Sequence, residues 1–102
     1  MPFIIETFDK PGHQAVRQAH RPAHLDFLDT HKHLLLACGA KLADDGSDLG
    51  GGLYVVELDT REAAQSFIES DPFFRAGLFE RVSITRWRKA YVAGTSHLPA
   101  AA

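Results

Sequence analysis

The stretch that decides the fold is residues 53–58, LYVVEL, the most strand-like run in the chain. Its β-branched and aromatic residues favour a strand over a helix. Its apolar side chains do not alternate with polar ones, so both faces of the strand are apolar. A strand of this kind is typical of a sheet that is covered on both sides. The rest of the chain is therefore expected to cover one face of a sheet and to leave the other for a partner.

Before this run, the sequence predicts a strand and a helix. Residues 2–8 are rich in Phe and Ile and end at a turn signal, as an amino-terminal strand does. A loop is expected over residues 13–20. Pro22 then suits the first turn of a helix, because its missing N–H costs nothing there. The apolar arc of this helix also contains His24, in the opening turn, and His31.

After the helix, the sequence predicts three more strands and a second helix. In order, these are a strand within residues 34–42, a flexible loop ending in glycines 50–52, the strand at 53–58, a helix capped by Asp59 or Thr60, and a strand over residues 79–88. Glu62 is placed to complete a capping box with Asp59. Asp71 ends the second helix, because the following Pro72 disfavours helical geometry in the residue before it.

The element order β-α-β-β-α-β predicts a ferredoxin-like α+β sandwich, with two helices on one face of a four-stranded antiparallel sheet. Residues 1–93 are expected to form this single domain. Residues 94–102 lack periodicity and are expected to form a flexible tail. The second face of the sheet is apolar and is expected to pack against another copy of the chain. The strands alone therefore predict a homodimer.

Charge and hydropathy exclude several classes of partner. The chain of 102 residues carries 11 Lys and Arg against 13 Asp and Glu, a balance unlike the basic surface of a nucleic-acid-binding protein. No stretch approaches the ~20 apolar residues of a membrane span. The amino terminus does not resemble a signal peptide. We therefore expect a cytoplasmic protein with no nucleic-acid and no membrane partner.

A series of short motifs carries a family resemblance. They are RPAHL at residues 21–25, a glycine and an acidic turn at 39–46, a glycine pair at 51–52, DPF at 71–73 and AGL at 76–78, followed by Glu80. Each motif is short, but their ordered combination runs from about Phe3 to Tyr91. Through this order the chain resembles the YciI-like (YCII-related) family.

The resemblance implies a dimeric α+β barrel with a His–Asp pair as its catalytic centre. In this chain the pair corresponds to His24 and Asp71. Two departures from the family pattern stand out. Residues 39–41, Gly-Ala-Lys, replace Gly-Pro-Leu and are expected to bring a charge near the pocket. Gly52 stands where many members have serine, so a hydroxyl contact is expected to be missing.

The chemistry expected of His24 is proton transfer. A neutral imidazole near its unperturbed pKa of ~6.5 can accept and return a proton at neutral pH. A carboxylate on the second ring nitrogen fixes the tautomer and supports the imidazolium, which is the role expected of Asp71. Arg21 is expected to anchor an anionic substrate group. Asp44 and Phe73 are further candidates for substrate binding, as a second carboxylate and as an apolar wall.

Each candidate also has a structural alternative. His24 can be a core histidine bonded to a backbone carbonyl, and Asp71 can cap the turn that follows it. Arg21 can be a solvated surface residue, and Asp44 can belong to an Asp-Asp-Gly turn. Cys38 is expected to be a small buried residue and not a nucleophile, since no neighbour in sequence is cationic.

No metal and no cofactor is predicted. The glycine run precedes a strand, whereas a phosphate-binding loop follows one. His31 lies two residues from His33 and two turns from His24, so neither pair suits one metal ion. His20 shares a face with His24 only if the helix begins before Pro22.

The sequence favours a small enzyme that transfers protons on a small cyclic or aromatic-derived acid, in an isomerase-like or lyase-like reaction. The alternative is a non-catalytic small-molecule-binding or interaction domain on the same dimeric scaffold. A monooxygenase of similar architecture, haem-using or cofactor-free, also stays open. An RNA-binding module is excluded, because the strand at 53–58 has one tyrosine and no basic residue.

Overall fold

A computed structural model describes residues 1–100 and shows a four-stranded sheet with helices on one face. The strands are β1 (Phe3–Asp9), β2 (Leu35–Leu42), β3 (Asp48–Val56) and β4 (Phe79–Arg86). The helices are α1 (Gln14–Thr30), α2 (Arg61–Glu69) and the short α3 (Pro72–Arg75). A 3-10 turn, Lys32–Leu34, joins α1 to β2, and a two-stranded hairpin, β5 (Tyr91–Val92) and β6 (Thr95–Ser96), follows β4.

The sheet order β2-β3-β1-β4, antiparallel throughout, confirms the predicted ferredoxin-like α+β fold. The central strand β1 shows why the helices lie on one face. Its alternate residues Phe3, Ile5 and Thr7 are buried, whereas the residues between them are only partly buried. The buried core cluster consists of Phe3, Ile5, Tyr54, Val56, Ala64, Phe67 and Ile68. Strand residues and α2 together therefore form one continuous core under the helices.

The opposite face of the sheet, here called the outer face, carries apolar side chains, and no helix among residues 1–100 covers it. Leu53 pairs with Glu6 and is 39% exposed, and Val55 pairs with Ile4. Lys41 also lies on this face, because its ammonium is 3.3 Å from the Glu6 carboxylate. The expectation that Lys41 brings a charge to the pocket is therefore wrong: β2 directs it to the other side of the sheet.

Helix α1 begins at Gln14, eight residues earlier than predicted, and the expected loop over residues 13–20 is helical. Pro22 lies inside the helix and not in its first turn, so its missing N–H removes one internal hydrogen bond. His24 therefore lies three turns into the helix instead of in the opening turn. The prediction failed because proline is most common in the first turn of a helix. The sequence of one segment does not show whether the surrounding structure tolerates a proline farther along the helix.

Two further local predictions, the glycine loop and the capping box, are wrong, whereas Thr60 is confirmed as a cap of α2. Glycines 50–52 form part of β3 and not a flexible loop, since Gly52 pairs with Thr7 of β1. The capping residue of α2 is Thr60, whose hydroxyl accepts a hydrogen bond from the Ala63 N–H at 3.1 Å. Counted from Thr60, the third helical position is Ala63 and not Glu62, so the predicted capping box of Asp59 with Glu62 does not form.

The carboxyl-terminal segment is more ordered at its start than predicted. Thr95–Ser96 pair with Tyr91–Val92, and the His97 N–H donates to the Ala90 carbonyl at 2.7 Å. The expected tail over residues 94–102 therefore includes one strand of this hairpin, and its last two residues lie outside those described. The domain boundary at residue 93 stays a prediction.

Candidate functional site

The candidate site centres on a hydrogen-bonded pair, His24 on α1 and Asp71 between α2 and α3. The Nδ1 atom of His24 lies 2.9 Å from each carboxylate oxygen of Asp71. The Asp71 side chain is fully buried, and that of His24 is 11% exposed. Because α1 packs against α3, two residues 47 positions apart in sequence meet at one place.

Asp71 accepts hydrogen bonds from three different elements. Besides His24, the Phe73 N–H donates to its Oδ1 at 2.8 Å and the Tyr54 hydroxyl donates to its Oδ2 at 2.9 Å. The bond from Phe73 makes Asp71 the capping residue of α3. The two roles weighed for Asp71 in the sequence, a turn cap and a partner of His24, therefore coexist in one carboxylate.

These contacts determine which nitrogen of His24 is free. An ionised carboxylate only accepts hydrogen bonds, so Nδ1 carries the proton of the neutral ring and Nε2 is an acceptor. Nε2 has no hydrogen-bond partner among the described residues, and no buried side-chain nitrogen or oxygen among them lacks one. Nε2 is therefore accessible, and it is available to exchange a proton with a bound molecule.

The open space beside His24 is a cavity of about 270 Å³. One wall is the face of α1 that carries Arg17, Arg21 and Leu25, and the other is formed by small residues of β2 and β3, including Gly39 and Gly52. An apolar cavity of about 150 Å³ holds a benzene molecule. The volume next to His24 therefore suits a single substituted ring.

Two arginines lie in this cavity, and the sequence analysis singled out only one of them. Arg21 is exposed and lines the cavity, where it was expected. Arg17, one turn earlier, is held by Asp9 through Nε at 2.7 Å and Nη2 at 3.1 Å. Burial lowers the pKa of Arg17, but the hydrogen bond and the charge of Asp9 outweigh burial and raise it overall. The cavity therefore carries one cation that is held by Asp9 and one that is exposed to solvent.

Phe73 stacks on the ring of His24 and also lines the cavity. Its ring is stacked on His24 with centroids 3.9 Å apart and planes inclined by 15°. The Arg17 guanidinium lies 4.7 Å from the same ring. Phe73 is only 1% exposed. It packs between two cavity residues and itself lines the cavity, so its role as an apolar wall for substrate stays a prediction.

Asp44 does not reach the candidate site. It lies in the turn between β2 and β3, is exposed, and does not line the cavity beside His24. In the same turn Asp45 accepts hydrogen bonds from the Ser47 hydroxyl and N–H, which lower the pKa of Asp45. The Asp-Asp-Gly turn, weighed as the structural alternative, describes this segment, and Asp44 is corrected from a site residue to a turn residue.

Cys38 is exposed, and its predicted burial is wrong. Cys38 lies on the edge strand β2 and lines the cavity. Its sulfur is nevertheless surrounded closely enough that burial, with a smaller effect of the Asp71 charge, raises the pKa of the thiol to about 11. A thiol with such a pKa is protonated at neutral pH, in keeping with the expectation that Cys38 is not a nucleophile.

Tyr54 and Arg17 are the site residues that sequence reasoning missed. Tyr54 was treated only as part of a strand, and nothing in LYVVEL shows that its hydroxyl meets a carboxylate. Arg17 was assigned to a loop. Its spacing of four and seven residues from Arg21 and His24 places all three on one helix face, a signal that requires knowing where α1 begins.

Among residues 1–100, no three His, Cys, Asp or Glu side chains are grouped as a metal site requires. Helix α1 does place His20 and His24 four residues apart in one helix, but Nδ1 of His24 is already bonded to Asp71. The absence of a metal and of a cofactor stays a prediction. No helix in the described part of the chain is long and apolar enough to cross a membrane.

Comparison with known proteins identifies relatives over almost the whole chain. The profile of the YCII-related domain matches residues 1–88. Protein YciI of Escherichia coli O6:H1 and that of Shigella flexneri are each 33% identical over 98 residues, covering 89% of this chain and 100% of the relative.

The structural comparisons agree with this match. A structure of the 5-chloro-2-hydroxyhydroquinone dehydrochlorinase of Burkholderia phenoliruptrix, in complex with 2,5-dihydroxybenzoquinone, has a TM-score of 0.79 and 34% identity, covering 86% of this chain and 94% of the other. A monooxygenase-like protein of Bacteroides thetaiotaomicron has a TM-score of 0.55 over 91% of both chains, but at 11% identity it shares the fold alone. With a matching domain profile and full-length relatives above 30% identity, this chain belongs to the YciI-like family.

Proposed function

We propose that this protein is a small enzyme that transfers protons on a small, anionic, ring-shaped substrate. His24 acts as general base and acid through Nε2, and Asp71 orients the ring and stabilises the imidazolium. Arg21 binds an oxyanion or carboxylate of the substrate, and Arg17 adds a second cation to the same cavity. The reaction is of the isomerase or lyase type.

The proposed step begins with a C–H or O–H bond of the substrate ring. Nε2 takes the proton, the bonding electron pair remains on the ring, and the arginines stabilise the resulting negative charge. In an isomerisation the imidazolium returns the proton to another atom of the ring. In an elimination the electron pair expels an anionic leaving group from the neighbouring carbon, and the imidazolium later loses its proton to solvent.

The observation that carries this proposal is the free Nε2 of a histidine whose other nitrogen is held by a buried carboxylate, beside two cations. His31, at the carboxyl-terminal end of α1, provides the contrast: its Nδ1 bonds to the Phe27 carbonyl at 2.8 Å and not to a carboxylate, and His31 does not line the cavity. The likeness to a dehydrochlorinase crystallised with a dihydroxybenzoquinone supports a ring-shaped, oxygen-rich substrate.

The experiment compares wild type with His24→Asn and with the matched control His20→Asn, whose residue is exposed on the same helix outside the cavity. Binding of 2,5-dihydroxybenzoquinone is measured by calorimetry, and turnover is sought by screening hydroxylated quinones and cyclic acids. Removing a general base costs about 10²–10⁴-fold in rate. We expect that loss for His24→Asn and no loss for His20→Asn, with both melting temperatures close to wild type.

Two results would contradict the enzyme proposal. Full turnover in a folded His24→Asn protein moves the chemistry to another residue. Tight binding of ring-shaped acids with no turnover of any of them favours the alternative, a binding domain on the same scaffold. We further propose that the active form is a homodimer built on the outer face of the sheet, and the cytoplasm stays the predicted location.

A further inference from the structure

Tyr54 is the least expected member of the candidate site: it bonds to Asp71 and also lines the cavity beside His24. It is 3% exposed and lies on β3, two residues before the end of the strand. Its hydroxyl donates to Asp71 Oδ2 at 2.9 Å, and its ring meets the His24 ring edge to face at 6.3 Å. Because the hydroxyl donates its proton to Asp71, its effect on His24 passes through Asp71.

We propose that Tyr54 is a positioning residue, which holds Asp71 as an ionised acceptor and so keeps His24 in the Nδ1–H tautomer with Nε2 facing the cavity. Its effect on the reaction rests on the proposed function, whereas its effect on His24 does not require a substrate. The role needs only the three hydrogen bonds to Asp71, which come from β3, α1 and the start of α3.

The buried Asp71 carboxylate needs hydrogen-bond donors. A fully buried carboxylate is costly unless hydrogen bonds replace its lost hydration. Two of its donors, the Phe73 N–H and the Tyr54 hydroxyl, are neutral and stay attached whatever the charge of His24. These two hydrogen bonds withdraw negative charge from the Asp71 carboxylate and make it a weaker base. The proton between the two side chains therefore stays on Nδ1 of His24.

The Tyr54 hydroxyl is suited to this role because it does not titrate. Burial, followed by the charge and the hydrogen bond of Asp71, raises the pKa of Tyr54 far above its usual range. The phenol is therefore a permanent donor at any pH at which the protein works. The other titratable or charged groups around the pair are Arg17 and Arg21 on α1 and Cys38 on β2.

The experiment follows His24 by NMR in the absence of substrate. Long-range ¹H–¹⁵N spectra report the tautomer and the pKa of each imidazole, and His24→Asn identifies the His24 signals. In wild type we expect the Nδ1–H tautomer at high pH. In Tyr54→Phe the Asp71 carboxylate loses one donor and stabilises the imidazolium more strongly, so the proton affinity of His24 should rise about threefold to tenfold.

Two controls separate this role from simple packing. Tyr91→Phe removes the only other tyrosine hydroxyl, which is on the exposed β5, and should leave His24 unchanged. In an Asp71→Asn background, Tyr54→Phe should no longer shift His24, because the residue through which it acts has lost its charge.

Each outcome decides the proposal. A His24 titration that Tyr54→Phe leaves unchanged, or moves downward, overturns it, and so does an equal shift in the Asp71→Asn background. If Tyr54→Phe does not fold, the wild-type spectrum still decides, since an Nε2–H tautomer contradicts the positioning. Loss of turnover in His24→Asn tests the enzyme proposal separately, so the two can fail independently.

Discussion

At the scale of single residues, Asp71 couples the stability of the chain to the candidate chemistry. Its bond to the Phe73 N–H holds the first turn of α3, while its bonds to His24 and Tyr54 hold the site. A substitution at Asp71 therefore affects both at once. Substitutions at His24 and Tyr54 probe the site without removing the cap, which is why the decisive variants are placed there.

Cys38 provides a test of the polarity of the cavity. Its pKa is raised from 9.0 to about 11, so at pH 7 the folded protein has roughly a hundredfold less thiolate than the unfolded chain. Alkylation by iodoacetamide should be slower by about that factor in the folded state and should rise tenfold per pH unit until about pH 11. A rate that levels off near pH 9 would contradict the raised pKa.

The raised pKa of Cys38 also makes the free energy of unfolding depend on pH. The folded state favours the neutral thiol, so the unfolded chain ionises first as the pH rises. The contribution of Cys38 to the free energy of unfolding is therefore fully present below about pH 9 and is lost progressively up to about pH 11. Because Cys38 is exposed to solvent, screening by water keeps this contribution to the free energy of unfolding small.

At the scale of elements, the pairing of β1 with β3 depends on a glycine that the sequence places in an apparent loop. Gly51 has φ of 138°, and a Cβ atom there would lie 2.0 Å from the Thr7 carbonyl oxygen. Next to it, the Gly52 N–H donates to the buried Thr7 hydroxyl at 2.9 Å. This close approach aligns β3 so that Tyr54 points toward Asp71, and it links the glycine pair to the site geometry.

The Gly51→Ala variant should therefore be far less stable than a variant with a similar change elsewhere. We expect the free energy of unfolding to fall by more than about 3 kcal/mol, because the backbone of β1 has to move. Gly46→Ala is the matched control: Gly46 also has a positive φ, 89°, but open space around it. It should cost only about 1–2 kcal/mol. Urea unfolding followed by circular dichroism measures both, and equal losses would show that the close approach does not matter.

At the scale of the whole molecule, one face of the sheet has no covering layer in the part of the chain that the structure describes. The helices bury one side, while the outer face has Ile4 and Val55 at its centre and Leu53 exposed. Around these apolar residues, the Phe8 ring lies between Lys41, 3.6 Å away, and Arg81, 3.8 Å away. An apolar centre with a charged rim is the usual composition of an interface, which supports a second copy as the partner.

Leu53→Asp tests this interface. Sedimentation of wild type at micromolar concentration should show a species of about twice 11.2 kDa. The introduced carboxylate would be buried without a partner, so it should weaken the dimer by about tenfold or more. Leu42→Asp, at an exposed position near the end of β2, is the control and should remain dimeric. A wild-type protein that is monomeric throughout this range would contradict the proposed assembly.

The sequence by itself determined the features that depend on local pattern. The order of strands and helices follows from hydrophobic periodicity and turn residues, and the apolar outer face follows from LYVVEL alone. His24 and Asp71 were singled out as partners through the family resemblance, and Arg21 through its charge. The predictions of element order and of the apolar outer face hold because strand alternation is a property of neighbouring residues, whereas the roles of His24, Asp71 and Arg21 in chemistry stay predictions.

Only the tertiary structure decided what happens between distant segments. It placed Pro22 inside α1, Gly51 against β1, Lys41 on the outer face and Asp44 away from the cavity, and it added Tyr54 and Arg17 to the site. The physical reason is the same in each case. A backbone approach of a few ångströms, or a hydrogen bond to a buried carboxylate, depends on packing between elements far apart in the chain, and no local pattern records it.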